Sequence, residues 1–173
     1  MKKTLVAAIA IATSLASTSS AEASWFARLD SAGRLIVTGI ATDENSILSP
    51  ITLTCADGRL TAEILTQLNT TKDELPTYSG AKIILGYKTA NADKTKMGLD
   101  AEPVLLIGNA LGLVSKLSAE QSQAIYTAIS RGTRIDLELV HPQFDYDLTP
   151  KKIYAGGSTQ AFSAMNEHCS AFE

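Results

Sequence analysis

Two cysteines restrict the fold of this chain more than any other feature of its sequence. Cys55 and Cys169 are the only ones among 173 residues, and 114 positions separate them. In an oxidising compartment a lone pair is most simply a disulfide, which here would tie the end of the chain to its first third. A redox-active thiol pair or a metal site is the alternative, but C-x-x-C spacing and accompanying histidine ligands are missing. We therefore predict a structural disulfide and no metal or cofactor.

The first 23 residues are arranged as a secretory signal. Two lysines precede an uninterrupted run of small and apolar residues from position 5 to 12, and a Ser- and Thr-rich stretch then ends in Ala21-Glu22-Ala23. The apolar run is shorter than the roughly 20 residues that a membrane span requires. We predict a bacterial signal peptide cleaved after Ala23, no transmembrane anchor in the mature chain, and a single globular domain over residues 24–173 that is periplasmic or secreted.

The charge of the predicted mature domain argues against nucleic acid as a partner. The whole chain carries a formal charge of −3, and removing two lysines and one glutamate with the signal leaves −4. Nucleic acids and anionic membranes bind mainly to clustered Lys and Arg. The densest basic spots are Lys94-Thr95-Lys96 and Lys151-Lys152, which we interpret as solvated loops. No nucleic-acid binding is expected.

Alternation of apolar and polar residues with a period of two predicts a mainly antiparallel sheet. Asp57-Gly58 lies between two alternating segments, and the central positions of a tight turn favour these residue types, so a hairpin is predicted there. The alternation places Cys55 on the buried face. The predicted strands cover residues 25–29, 34–40, 51–55, 60–64, 81–89, 133–140 and 144–148, and polar connections cover 42–50, 69–80 and 91–96.

Residues 103–117 form the most apolar stretch after the signal. Glycines interrupt it, and each costs a helix about 1 kcal/mol, so we predict a buried strand followed by a short or irregular segment. Ser118 and Gln121 then form a capping box that starts a helix. This helix should end at Gly132 and bury Ala124, Ile125, Ala128 and Ile129.

A second helix is predicted near the end of the chain. Gly156-Gly157-Ser158 is a turn that delivers a helix N-cap, and Phe162, Met165 and Cys169 follow at i, i+3 and i+7 on one face. Cys169 can therefore point inward towards Cys55. The predicted fold class is α+β: a mainly antiparallel sheet, sandwich-like or curled, with two short helices and one disulfide.

Few residues suggest catalysis. His141 precedes a proline at a strand end and His168 precedes Cys169, without the G-x-S-x-G or H-E-x-x-H patterns of hydrolases. Asp145 and Asp147 share a face of a predicted strand, at a separation near the lower end of the range for glycosidase carboxylates. The turn before the last helix has backbone amides for an anion but no phosphate-loop lysine. We interpret the histidines as surface or half-buried residues, the aspartates as residues of a solvent-exposed face, and the glycines as a turn with a helix cap.

The order of several segments resembles that of small exported bacterial envelope proteins. Pro50-Ile51-Thr52-Leu53-Thr54-Cys55 precedes a short turn and residues 60–64, and Gly132-Thr133-Arg134-Ile135 precedes Gly157-Ser158-x-x-Ala161 and Cys169. This pattern is similar to the type VI secretion-associated periplasmic accessory family called TagO or VasI, and more loosely to the invasion-associated locus B family. The resemblance implies a non-enzymatic envelope protein in which the two cysteines are bridged.

The sequence favours a non-enzymatic periplasmic or secreted binding or accessory protein, with another envelope or secreted protein as its partner. This expectation follows from the missing catalytic motifs and from the acidic, bridged domain. Two other classes stay open. One is a small secreted hydrolase that uses His141 with Asp145 or Asp147, and the other is a structural component of the envelope.

Overall fold

A computed structural model describes residues 24–42, 48–56, 59–89, 94–142 and 151–169. The predicted signal peptide, the Asp57-Gly58 turn and the predicted strand at 144–148 lie outside these ranges.

The described residues form ten strands, two α-helices and two short 3-10 turns. The strands are β1 (Trp25–Leu29), β2 (Leu35–Thr42), β3 (Leu48–Ala56), β4 (Arg59–Asn69), β5 (Lys82–Thr89), β6 (Lys94–Asp100), β7 (Glu102–Leu105), β8 (Ala110–Lys116), β9 (Gly132–Val140) and β10 (Lys151–Tyr154). The helices are α1 (Ala119–Arg131) and α2 (Ser158–His168), and the 3-10 turns are Leu75–Tyr78 and Ile107–Asn109. The predicted α+β class with two short helices is confirmed.

All ten strands belong to one antiparallel sheet that curls into a nearly closed, barrel-like layer. Its strand order is β6-β5-β9-β10-β2-β3-β4-β8-β7, and β1 also pairs with β2. Only Ala101 separates β6 from β7, so one continuous segment forms both ends of this order. The segment pairs with β5 before Ala101 and with β8 after it. Of the two predicted architectures, the curled sheet is the one observed.

The inner face of the curled sheet holds the core. Val37, Leu53 and Ala62 lie directly opposite one another on β2, β3 and β4, and all three are buried. Helix α1 packs against this face through Ile125 and Ile129, which are buried as predicted. Along β2 the alternate residues are partly exposed, so the sheet has one apolar and one solvated face.

Helix α1 begins with the predicted capping box. The Ser118 N–H donates to Gln121 Oε1 over 2.9 Å, and the Gln121 N–H donates to Ser118 Oγ over 3.1 Å. Two amide groups at the helix start are thereby supplied with acceptors. The helix ends at Arg131, immediately before Gly132.

The S118A variant is expected to lower the free energy of unfolding by about 1 kcal/mol, because alanine cannot accept the Gln121 amide hydrogen bond. Urea unfolding followed by circular dichroism measures this loss. S163A is the matched control, since Ser163 is exposed on α2 and its hydroxyl has no hydrogen bond to any other described residue. Equal destabilisation of the two variants would show that the capping box contributes nothing.

Three predictions for individual strands are wrong, the first two because polar residues conceal strand pairing. Strand β3 begins at Leu48 rather than at Ile51, since its first residues continue the ladder with β2. Part of the predicted loop at 91–96 belongs to β6, which pairs with β5 and buries Leu99. Within 103–117 the second strand, β8, is the buried one, while β7 is exposed or half-buried.

Lys151 is not the solvated loop residue that the sequence suggests. It begins β10, is 2% exposed and lies opposite Leu137, a core residue of β9. Directly opposite residues in an antiparallel pair share a face, so the Lys151 side chain lies on the inner face of the sheet. Lysine can occupy such a position because its long hydrocarbon stem packs against apolar neighbours. Lys152, the next residue, is exposed.

Candidate functional site

Cys55 and Cys169 form the predicted disulfide. Their Cα atoms are 5.8 Å apart, within the usual range for a bridge. Cys55 lies on the inner face of β3, and Cys169 directly follows α2, where its N–H donates to the Met165 carbonyl. Both cysteines are buried. The bond ties α2 to the β3–β4 hairpin and is of a kind that persists in oxidising compartments.

His141 is a buried side chain rather than an open catalytic base. It is 8% exposed, and its Nε2 lies 2.9 Å from the Ser79 carbonyl oxygen. A carbonyl oxygen only accepts, so a hydrogen bond here places the proton on Nε2. His168 is exposed beside Glu167. Asp145 and Asp147 lie outside the described residues, so the hydrolase hypothesis stays a prediction.

The described ranges contain no group of three or more His, Cys, Asp or Glu side chains placed to hold a metal ion. Across the same ranges, no helix has both the length and the apolar character needed to traverse a lipid bilayer.

The space between α1 and the inner face of the sheet is nearly filled. A cavity of about 10 Å³ remains there, lined by apolar side chains that include Trp25, Leu85 and Ile125. A single water molecule needs about this much room. Ligands of the size of a sugar or an amino acid therefore do not fit, and surface features are the candidates for binding.

The turn before α2 has a structural role. The Gly156 carbonyl accepts hydrogen bonds from the N–H groups of Ser24 and Trp25, both over 2.9 Å. Gly157 is the N-cap of α2 and has a φ of 78°, a left-handed value that favours glycine. Within the described part of the chain, no side chain caps the helix start by a hydrogen bond. The turn thus joins the first strand to the last helix, in agreement with its interpretation as a turn.

The first surface candidate is a cleft of about 320 Å³ between α1 and α2, which we call the helix groove. The Tyr126 and Phe162 rings meet there, with centroids 4.5 Å apart and planes inclined by 33°. The Tyr126 hydroxyl donates to Asn166 Oδ1 over 3.0 Å and so links the two helices. The groove is lined by Gln123, Tyr126, Thr127, Ser130, Arg131, Thr159 and Phe162.

The second surface candidate is an apolar patch on the outer face at the β7–β8 hairpin. Leu65 of β4 lies opposite Gly112 of β8, which in turn lies opposite Val104 of β7. A Cβ atom on Gly112 would lie 2.7 Å from Leu106 Cδ1, so Leu106 covers this glycine. Ile107 follows at the hairpin tip and is fully exposed (101%). The term hairpin patch denotes Leu65, Val104, Leu106 and Ile107.

Neither surface was predicted from the sequence. Arg131 stands out only as a basic residue in the last turn of a helix, where it also interacts favourably with the helix dipole. Its neighbours across the groove are about 30 positions away in the chain. The hairpin tip did carry a local signal: Gly108-Asn109 follows Ile107, and both residues adopt positive φ, 75° and 63°. Ile107 stands directly before this pair and is exposed at the turn.

Comparison with known proteins gives the fold and little more. No family model matches the chain, and no curated protein matches it either. The resemblance to the TagO or VasI family is therefore not supported. A crystal structure of invasion associated protein B from Bartonella henselae is similar, with a TM-score of 0.50 and 10% sequence identity, over 84% of this chain and 95% of that chain. This likeness agrees with the looser resemblance to the invasion-associated locus B family, and it shows that the chain shares that fold.

Proposed function

We propose that this chain is an exported, non-enzymatic binding or accessory protein of the bacterial envelope, which contacts another exported protein through the hairpin patch. The observation that carries the proposal is the complete exposure of Ile107 at the tip of an ordered hairpin. Contiguous apolar surface on a soluble domain commonly marks an interaction site.

Hydrogen bonds fix the shape of the hairpin tip. The Leu106 N–H donates to the Ala110 carbonyl, and the Thr70 N–H donates to the Asn109 carbonyl, each over 2.8 Å. The second bond crosses to the end of β4, so the tip is braced from a neighbouring strand. Ile107 is therefore presented by a supported backbone, and binding through it would cost little conformational entropy.

The charges beside the hairpin patch favour a protein over an anionic lipid surface. The adjacent row on the same face contains Glu63, Val114 and Glu102, which lie opposite one another on β4, β8 and β7. Two carboxylates in this row repel anionic headgroups. A protein that presents an apolar pocket rimmed by basic side chains would complement both rows.

Support for export comes from two independent features. Residues 1–23 have the order of a secretory signal. The buried disulfide between Cys55 and Cys169 belongs to the chemistry of oxidising compartments. The fold that the chain shares with invasion associated protein B is compatible with an accessory role.

Site-specific photo-crosslinking in the producing bacterium tests the proposal. A photoreactive residue at position 107 is expected to give one discrete adduct, identified by mass spectrometry as an exported protein. Position 163 is the matched control, because Ser163 is exposed on α2 and lies outside the hairpin patch. An absence of adducts above the level at position 163, or crosslinks to lipid alone, would contradict the proposal.

The I107D variant is expected to fold normally and to bind its partner poorly. Full exposure means that the free energy of unfolding should change by no more than about 0.5 kcal/mol. A charge in the centre of an apolar contact should weaken binding at least about tenfold. Thermal unfolding measures the first quantity, and adduct yield from a photoreactive residue at position 65 measures the second. Unchanged yield in I107D would contradict a role for the tip.

A further inference from the structure

We infer that the helix groove binds a sugar acid: a hydroxylated six-membered ring that carries one carboxylate. Arg131 would pair with the carboxylate, and the rings of Tyr126 and Phe162 would pack against the C–H face of the sugar. This site is separate from the hairpin patch, so the inference goes beyond the proposed function and does not depend on it.

The charge of the groove sets the charge of its ligand. Among the described residues that line it, Arg131 is the only charged one, and none of them carries a carboxylate. The Arg131 guanidinium has no ion pair or hydrogen bond with any other described residue, although the predicted mature domain is acidic overall. A guanidinium presents paired N–H donors that match the two oxygens of a carboxylate. The groove therefore favours a monoanion.

Two of the hydroxyl groups that line the groove are left as acceptors, because each already donates to a backbone carbonyl. Thr127 Oγ1 already donates to the Gln123 carbonyl over 2.9 Å, and Ser130 Oγ donates to the Thr127 carbonyl over 3.1 Å. Each of these two oxygens retains lone pairs with which it can accept from a ligand donor. A hydroxylated ring supplies such donors, whereas a plain aromatic acid does not. The polar lining thus distinguishes a sugar acid from a benzoate-like ligand.

The size and the apolar wall of the groove suit one ring. A volume of about 320 Å³ lies at the lower end of the range for small-molecule sites. Tyr126 and Phe162 are half-buried and held together at 4.5 Å, and the Tyr126 hydroxyl is fixed by Asn166. Their positions are therefore set before a ligand arrives, which reduces the entropic cost of binding.

Titration of ¹⁵N-labelled protein with sodium glucuronate, followed by NMR, tests the inference. Saturable shifts are expected at the backbone amides of Ser130, Arg131 and Thr159, with a millimolar Kd. R131Q should weaken binding at least about tenfold, the loss expected for a charge-assisted hydrogen-bonded pair. R28Q is the matched control, because Arg28 is an exposed arginine on β1 outside the groove, and it should bind like the unmodified protein.

Glucose and benzoate complete the test. Glucose should bind at least about tenfold more weakly than glucuronate, because it lacks the carboxylate, and benzoate should also bind more weakly, because it lacks hydroxyl donors. Absence of saturable binding, or equal binding by R131Q, would overturn the inference. Benzoate binding as tightly as glucuronate would overturn the assignment to sugar acids. I107D should bind glucuronate normally, so failure of the groove and failure of the hairpin patch are distinguishable.

Discussion

The C55A/C169A variant is expected to lose about 4 to 5 kcal/mol of the free energy of unfolding. The bond closes a loop of 114 residues, and the chain entropy that such a closure removes from the unfolded state has about this size. The total free energy of unfolding of a domain of this size is typically only about 5 to 15 kcal/mol. This one bond therefore contributes a large share of the stability of the domain.

The loss should be greatest in α2. Ala161 and Met165 bury one face of this short helix, and the disulfide follows directly after its last residue. Without the bond, the helix is held by non-covalent contacts, among them this packing, the Tyr126–Phe162 ring contact and the Tyr126–Asn166 hydrogen bond. Hydrogen exchange should then show that the amides of α2 lose protection before those of β3 and β4.

Urea unfolding with and without reductant measures the effect. Reduction should bring the midpoint of the unmodified protein close to that of C55A/C169A, and reductant should leave the variant unchanged. Alanine at both positions avoids leaving a free thiol. Coincident midpoints for the variant and the oxidised protein would show that the bond does not stabilise the fold.

The second large effect is expected for G39A, which should destabilise the protein by about 2 to 3 kcal/mol. Gly39 lies opposite Trp25, and a Cβ atom there would be 2.7 Å from Cζ3 and 2.8 Å from Cη2 of the indole ring. The ring is buried and large, so it cannot move away without disturbing the core. Overpacking of this kind costs about 1 to 3 kcal/mol, and a rigid aromatic neighbour favours the upper part of that range.

G98A is the control for this prediction, because it makes the same chemical change in another strand. A Cβ atom on Gly98 would meet Ile84 Cδ1 at 3.5 Å, an ordinary contact, so its stability should stay the same or rise by up to about 1 kcal/mol. Thermal unfolding compares the two variants, since each kcal/mol of destabilisation lowers the melting temperature by roughly 2 to 4 °C. Trp25 is the only tryptophan, so its fluorescence reports directly on the disturbed site. Equal melting temperatures for G39A and G98A would refute the argument.

Local chemistry made part of this fold predictable. The Ser118–Gln121 capping box needs only two side chains three positions apart, and the structure has it as expected. The segments on either side of residues 57 and 58 pair as antiparallel strands, as predicted, from Ile51 with Ile64 to Ala56 with Arg59. In these places neighbouring residues determine the structure, so the sequence pattern is sufficient.

Features that arise from tertiary packing were not predictable. Lys151 is buried because β10 lies between β2 and β9, and nothing in the residues around it signals that position. The helix groove exists because Tyr126 and Phe162, which are far apart in the chain, meet when α1 packs on α2.

The disulfide, in contrast, was predictable although it joins distant parts of the chain, since two cysteines allow only one intramolecular pairing.

The segment that runs through Ala101 is expected to make folding slow. Its two halves pair with different strands, β5 and β8, so the sheet cannot close until both neighbours are in place. Closure also requires the pairing of Lys152 with Thr42, which are far apart in the chain. Individual hairpins form within microseconds, but topologies dominated by such distant pairings need milliseconds to seconds. Unpaired strand edges stay exposed during that interval. A chaperone that shields such edges would bind the chain at this stage of folding.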